Sequence, residues 1–206
     1  YNITTLFLFI ASFVCTEAIA QTVNFEDGFE DGNFSANPEW TGDTDQFTVI
    51  DDNPNFLLQL QGDDQNGDVS YLSTPSANVE GSWEFFIDIN YSPSNGNRAD
   101  IFLMSDIENL EGNVNGYSIR AGESGSNDVF RLVRYENGSE VETILSGNTD
   151  ISSGGAFRVK VTRASGGDWT LEVGQGYDGE LTVEDTGTDN NFIAASYTGV
   201  RATYTS

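Results

Sequence analysis

The basic residues of this sequence are few, and most of them lie close together. Of the eight lysines and arginines, six fall in one stretch: Arg120, Arg131, Arg134, Arg158, Lys160 and Arg163. Three of them, Arg120, Arg158 and Lys160, alternate with apolar residues in strand-like segments, so they point away from the core. On one exposed sheet face they would bind a glycan or cell-surface polymer that carries carboxylates or sulfates. The alternative is ion pairing across strands, for which the candidate acids are Glu172, Asp100 and Glu123.

Acidic turns form a second candidate site, in this case for a metal ion. Asp27 and Asp31 each precede a glycine near the start of the sequence. Calcium takes its ligands from carboxylate and carbonyl oxygens in loops of this kind. We therefore predict structural calcium, with Asp27 and Asp31 as its ligands. The alternative is turn formation alone, because Asp, Asn and Gly are good turn residues without any metal.

Carboxylates spaced for hydrolysis are not evident. Glu84 and Asp88 share one face of a strand-like run, but four residues of strand separate them by roughly 13 Å. The carboxylates of glycosidases lie about 5–10 Å apart. The sequence has no histidine, which removes the commonest general base and zinc ligand. We therefore predict that the chain is not an enzyme.

Alternation of apolar and other residues indicates the elements that would position these side chains. The run at 83–91 has apolar residues at its odd positions: Trp83, Phe85, Ile87, Ile89 and Tyr91. Four such runs, separated by breaks rich in Gly, Asn and Ser, predict a β-meander: 83–91, 98–105, 116–121 and 128–135. The Asn137-Gly138 pair predicts a tight hairpin turn, because both residues accept positive φ.

About a dozen strand-like segments and essentially no helix predict the fold class. We expect an all-β, two-sheet antiparallel jelly-roll sandwich. The segments 56–61 and 70–73 are predicted to pair with each other. Trp83 and Trp169 are in phase with apolar residues and should be buried. Trp40 is predicted to pack against the first strand, the alternative being an exposed ring that stacks on sugars.

Length and charge limit the classes of partner. The 206 residues suffice for one sizeable all-β domain. The 33 acidic residues against 8 basic ones give a formal charge of −25. Nucleic acids and anionic membranes need basic stripes on their protein partners, so both are excluded as partners.

The N-terminus has the pattern of a secretory signal peptide. An apolar run over 6–15 is followed by Ala18-Ile19-Ala20 and then Gln21. We predict a signal peptide over 1–20 and a secreted or cell-surface domain over 21–206. The single cysteine, Cys15, lies inside the predicted signal, so the mature chain has no disulfide. A lipid-modified Cys15 is the alternative, although bulky residues precede it.

Several runs resemble a family of secreted Bacteroidetes surface proteins. They include FEDGFEDGNFSANPEWTGDTDQFTV, FLMSDIENLEGNVNGYSIRAGE and FRVKVTRASGGDWTLEV. The resemblance, over roughly 23–204, is to a concanavalin/laminin-G-like jelly-roll domain near the N-terminus of those proteins. It implies that lamin-tail domains and a type IX secretion signal can follow, and it favours calcium at the first turn. We therefore expect an N-terminal piece of a longer protein.

The function predicted on this basis is a non-catalytic extracellular binding or adhesion module. One alternative is a carbohydrate-binding module of a polysaccharide-degrading enzyme, which an exposed aromatic platform would favour. The other is a jelly-roll glycosidase or lyase, which two acids about 5–10 Å apart in a cleft would favour.

Overall fold

The protein consists almost entirely of β-strands. The computed structural model describes residues 25–52, 55–61 and 68–205. Within these ranges there are thirteen strands, one short 3-10 helix over Thr44–Gln46 and no α-helix. The strands are β1 (Thr41–Gly42), β2 (Phe47–Asp52), β3 (Asn55–Leu60), β4 (Asp68–Pro75), β5 (Gly81–Ile89), β6 (Arg98–Ser105), β7 (Gly116–Ala121), β8 (Phe130–Glu136), β9 (Ser139–Ser146), β10 (Gly155–Arg163), β11 (Asp168–Gln175), β12 (Thr182–Thr188) and β13 (Tyr197–Tyr204). The predicted fold class is confirmed.

Two antiparallel sheets form the sandwich. The larger sheet has seven strands in the order β1-β4-β13-β6-β7-β8-β9, and the smaller has four in the order β12-β11-β10-β5. Strands β2 and β3 pair separately as a hairpin. Each sheet buries one face against the other, which is why its strands alternate between apolar and polar side chains.

The main core lies between the two sheets. It is built from the inward residues of β6 to β11 and of β5. Trp169 is 1% exposed, and its ring stacks on that of Trp83 at 5.9 Å between centroids. Phe85 and Ile87 also pack against this core, whereas Glu84 and Asp88 of the same strand are exposed. The predicted phase of β5 is therefore correct.

A second, smaller cluster covers part of the opposite face of the seven-stranded sheet. Phe102 and Tyr135 meet there at 5.2 Å between ring centroids. Leu110 and Val114, from the loop that follows β6, are fully buried against them. The protein thus covers part of this face with its own loop.

Three pairing predictions have different outcomes. The Asn137-Gly138 turn is confirmed: both residues have positive φ, 49° and 77°, and join β8 to β9. The four-strand meander is wrong at its first member, because β5 pairs with β10 in the smaller sheet and the run continues as β6-β7-β8-β9. The predicted partner of the 56–61 segment is also wrong, since β3 pairs with β2 while β4 lies between β1 and β13. Alternation shows which side chains point inward, but both sheets bury one face, so it does not show which sheet a strand joins.

The predicted signal peptide, residues 1–20, lies outside the described residues. No helix in the ranges that the structure describes is long and apolar enough to span a membrane.

Candidate functional site

The three predicted ligand-binding cations do not share a face. Arg120 lies on β7 of the seven-stranded sheet, and its neighbours Ile119 and Ala121 belong to the main core. Arg158 and Lys160 lie on β10 of the four-stranded sheet. Because outward side chains of the two sheets point in opposite directions, the prediction of one cationic face is wrong. Ligand binding by the individual residues stays a prediction.

Arg120 is held in a buried network of ions and hydrogen bonds. Its guanidinium group donates through Nε to Asp100 Oδ1 at 2.9 Å and also contacts Glu140 and the Tyr135 hydroxyl. Arg201 donates through Nη2 to Asp100 Oδ2 at 2.9 Å and to the Tyr135 hydroxyl at 2.8 Å. Asp100 is 0% exposed and Arg120 is 9% exposed. The alternative interpretation of Arg120, an ion pair with Asp100, is what the structure shows.

The charges in this network shift the pKa values of its members. Burial alone would raise the pKa of Asp100, but the guanidinium groups of Arg120 and Arg201 outweigh it and hold that pKa below its usual value. Burial, with the nearby Asp100 carboxylate, raises the pKa of Tyr135 to about 12. The network joins β13, β6, β7, β8 and β9, so its first role is to hold the seven-stranded sheet together.

The outward face of the four-stranded sheet, called here the outer face, is open to solvent. The strand register arranges its side chains in rows that run across the strands. The first row is aromatic and cationic, with Phe86 opposite Arg158. The second row is charged, with Glu84, Lys160 and Glu172 side by side. The third row is made of hydroxyl groups: Ser82, Thr162, Thr170 and Thr186.

On the outer face the Arg158–Glu84 ion pair is solvent-exposed, and the Lys160–Glu172 pair is partly exposed. Arg158 contacts Glu84 Oε1 through Nε at 2.7 Å and Nη2 at 2.6 Å, and these side chains are 35% and 42% exposed. Lys160 lies 3.6 Å from Glu172 Oε2, as the ion-pair interpretation predicted. Exposed pairs of this kind contribute about 0–1 kcal/mol. An anionic ligand can therefore replace Glu84 on Arg158 at little energetic cost.

An aromatic pair stands at one end of the outer face. The ring of Phe86 contacts that of Tyr177 at 5.2 Å between centroids, and Tyr177 is 50% exposed. Tyr177 lies on the loop between β11 and β12, which folds back tightly over Gly174. A Cβ atom on Gly174 would lie 2.7 Å from the carbonyl oxygen of Gly179, so glycine is needed there. This close return of the loop brings Tyr177 over Phe86.

The hydroxyl row completes the outer face. Ser82 and Thr162 are hydrogen-bonded at 2.9 Å between their oxygens, and Thr170 and Thr186 continue the row onto β11 and β12. Hydroxyl groups both donate and accept hydrogen bonds. Aromatic rings, a guanidinium group and a row of hydroxyls therefore lie on one surface.

Comparisons with known proteins rest on structure alone, since no protein-family model and no curated protein matches the sequence. The carbohydrate-binding module CBM66 from Bacillus subtilis matches with a TM-score of 0.53 and 18% identity, over 79% of this chain and 86% of that one. The exoplasmic/lumenal domain of VIP36 in its Ca2+-bound form matches with a TM-score of 0.53 and 12% identity, over 81% and 76%. Its Ca2+/Man-bound form gives 0.53 and 11%, with the same coverage. The chain shares their fold. It is a two-sheet antiparallel jelly-roll sandwich, concanavalin-like in fold.

The predicted calcium ligands are engaged in turn contacts. Asp27 accepts a hydrogen bond from Phe29 N at 2.9 Å through Oδ1 and from Trp40 Nε1 at 2.7 Å through Oδ2. Asp31 accepts one from Asn33 N at 3.1 Å. Within the described ranges no three acidic, histidine or cysteine side chains are grouped to hold a metal. These contacts fit the turn interpretation. Calcium binding at Asp27 and Asp31 stays a prediction, which the arrangement of these oxygen atoms does not support. Thermal melts in chelator and in millimolar calcium test it.

The Trp40 ring packs against other aromatic rings and is not exposed as a sugar-stacking surface. Its ring lies 6.1 Å from those of Phe25 and Phe29, and the residue is half-buried. The packing interpretation is confirmed, although the two partner residues lie in an irregular segment and not in a strand.

The sequence did not identify two aromatic residues of the outer face, Phe86 and Tyr177, as candidate ligand-binding residues. Phe86 occupies a polar-phase position of β5, and an aromatic residue in that phase was itself a usable signal. Tyr177 lies in a loop rich in Gly and Asp, where no periodicity exists to mark it. Its meeting with Phe86 depends on the tight return of the β11–β12 loop, which alternation does not encode.

Proposed function

We propose that this domain is a non-catalytic, extracellular glycan-binding module of a secreted or surface protein, and that the outer face binds the glycan. The observation that carries the proposal is the Phe86–Tyr177 ring pair beside Arg158, in which Tyr177 is 50% exposed. Aromatic faces pack on the apolar faces of sugar rings, while the guanidinium fork binds a carboxylate or sulfate in two-point fashion.

The preferred ligand is an acidic polysaccharide. Arg158 and Lys160 are local cations on a chain of formal charge −25, which repels polyanions at long range. Screening reduces that repulsion beyond about 8–10 Å at physiological salt. A uronate or sulfate group that replaces Glu84 on Arg158 would keep the guanidinium group paired, and the displaced Glu84 carboxylate, 42% exposed, would be hydrated instead.

The shared fold supports sugar as the class of ligand. Among the matching structures, one is named a carbohydrate-binding module and another is a Man-bound form. The same outer face would serve adhesion, or would direct an attached hydrolase to its polymer, which is the alternative context for the module.

The arrangement of acids on the outer face favours binding over hydrolysis. Glu84 and Asp88 remain about four residues of strand apart, roughly 13 Å. Glu84 and Glu172 lie closer, two strands apart in one row, but each is paired with a cation, Arg158 and Lys160 respectively. A glycosidase needs two carboxylates about 5–10 Å apart in a cleft, one of them kept protonated as the general acid. The outer face is open instead, as the 42% exposure of Glu84 shows.

A glycan array tests the proposal. Uronate-containing or sulfated polymers should bind, and binding should weaken as salt is raised. The variants Phe86→Ala, Tyr177→Ala and Arg158→Ala should each lose affinity. The matched control is Arg131→Ala, because the Arg131 side chain is 32% exposed and ion-paired with Glu123 on the other sheet. Binding that all three outer-face variants retain would reject the outer face, and binding to no glycan at all would reject the function.

A further inference from the structure

A cleft at the edge of the seven-stranded sheet has no role in the proposed function. Its volume is about 400 Å³, and its lining includes Tyr197, Glu39, Glu108, Thr41, Thr74 and Pro75. That volume lies within the range of small-molecule sites. The lining residues come from β1, β4, the start of β13 and the loops before β1 and after β6. The outer face belongs to the other sheet, so the cleft is a separate surface.

Tyr197 lies at the rim of the seven-stranded sheet, beside a β-bulge in β6. This residue begins β13, opposite Pro75 of β4 and Ser105 of β6. The register between β13 and β6 shifts between Tyr197 and Gly199. The extra residue belongs to β6, whereas β13 keeps a regular register with β4. Tyr197 therefore lies on the same face of β13 as Arg201, at the wall of the cleft.

Glu108 is fixed in place by two hydrogen bonds. Thr41 Oγ1 donates to its carboxylate at 2.6 Å, and Ser73 Oγ donates to its main-chain carbonyl at 2.9 Å. Two residues later, Leu110 is fully buried and anchors the loop. The Glu108 carboxylate is thus oriented before any ligand arrives, which lowers the entropy lost on binding.

The charge of the lining selects the ligand. Glu39 and Glu108 form no ion pair, and no lysine or arginine lines the cleft, in the part of the chain that the structure describes. Two unpaired carboxylates repel anions, whereas they accept strong, charge-assisted hydrogen bonds from hydroxyl groups. A tyrosine ring adds a surface for the apolar face of a sugar ring.

We propose that this cleft binds one neutral sugar residue, with its hydroxyl groups donating to Glu39 and Glu108 and its ring against Tyr197. Both glutamates are exposed, whereas the general acid of a glycosidase is kept protonated by burial. The cleft is therefore a binding site and not a hydrolytic one. This inference does not rest on the outer face, and either site can fail while the other holds.

Amide correlation spectra of the isotope-labelled protein test the inference, with methyl glycosides of neutral hexoses and of a uronic acid as probes. At least one neutral glycoside should shift the amide signals of Thr41, Glu108 and Tyr197, and the uronate should not. Shifts confined to the outer face, equal binding of the uronate, or no shifts at millimolar glycoside would each overturn it. So would release of free sugar during the titration.

Variants sharpen the test. Tyr197→Ala should weaken binding roughly two- to tenfold, while Tyr197→Phe keeps the ring and most of the affinity. Glu108→Gln should weaken it about fivefold, because a bond to a charged acceptor is replaced by a neutral one. Glu111→Gln makes the same charge change in the same loop, outside the cleft, and should leave affinity unchanged, as should Phe86→Ala. Equal effects of Glu108→Gln and Glu111→Gln would overturn the specific role of Glu108.

Discussion

Arg120→Ala and Arg158→Ala should separate stability from binding. Both arginines point outward from strands whose alternate residues belong to the core. Arg120 is 9% exposed and contacts Asp100, Glu140 and Tyr135. The Arg158 side chain is 35% exposed and pairs with Glu84 alone among the acidic residues described. The first replacement should destabilise the fold, and the second should weaken glycan binding.

The magnitudes follow from these environments. Breaking a buried ion pair destabilises proteins by about 3–5 kcal/mol. Asp100 would keep Arg201 and Arg98 after Arg120→Ala, so we expect the lower end, about 3 kcal/mol. For a chain of this size that corresponds to a fall in Tm of about 6–12 °C. Arg158→Ala should change stability by about 1 kcal/mol or less, but loss of a charged hydrogen bond to the glycan should reduce affinity roughly tenfold to a hundredfold.

Urea denaturation, thermal melts and glycan titration of both variants provide the assay. Arg120→Lys is a useful companion, because an ammonium group cannot reproduce the guanidinium fork and should also be destabilising. The reasoning is refuted if Arg120→Ala melts within about 2 °C of the parent and loses glycan binding. Arg120 would then be the ligand residue that the sequence predicted. It is equally refuted if Arg158→Ala unfolds as readily as Arg120→Ala.

Three further outcomes are expected. Burial raises the pKa of Tyr117 and Tyr135 from 10.0 to about 12, helped by a hydrogen bond to Asp189 at Tyr117 and by the charge of Asp100 at Tyr135. The free energy of unfolding should therefore be unaffected below pH 10 and should fall by about 1.4 kcal/mol per tyrosine by pH 11. Urea denaturation at rising pH measures this loss, and curves that do not change with pH would contradict it. Trp83→Ala should cost about 3 kcal/mol, because its half-buried ring stacks on Trp169, and a melt within two degrees of the parent would contradict the assigned packing. Mass spectrometry of secreted protein should find Gln21 or its cyclised form at the N-terminus, whereas a lipid-modified cysteine would disprove the cleavage site.

Sequence alternation predicted the faces of the strands well and their partners poorly. It placed Trp83 and Trp169 toward the core correctly, because period-two burial is a local property of a strand. It assigned β5 to the wrong sheet, because pairing with β10 joins residues some seventy positions apart. The hairpin at Asn137-Gly138 was predictable because its determinants lie within two residues. Local signals thus gave the fold class, while the sheet order depended on contacts far apart in sequence.

The same distinction explains the candidate site. In sequence, Arg120 and Arg158 are equivalent: each is a cation at the polar phase of an apolar strand. Their environments differ because of tertiary contacts with residues far away in the sequence. Asp100 and Glu140 approach Arg120 from the neighbouring strand and from the edge strand beyond the next one, whereas Arg158 has Phe86 directly opposite and a single exposed acid as its partner.

These contrasting environments also indicate which side of the sandwich is available to a polymer. Leu110 and Val114 cover part of the seven-stranded sheet, and its central cations are committed to Asp100. A ligand there would have to displace buried, charge-assisted bonds, each more costly to lose than an exposed pair. On the four-stranded sheet Arg158 pairs with the exposed Glu84, Lys160 lies 3.6 Å from the partly exposed Glu172, and Tyr177 and Phe86 contact each other nearby. The lower cost of exchanging partners there is the physical reason to place the glycan on the outer face.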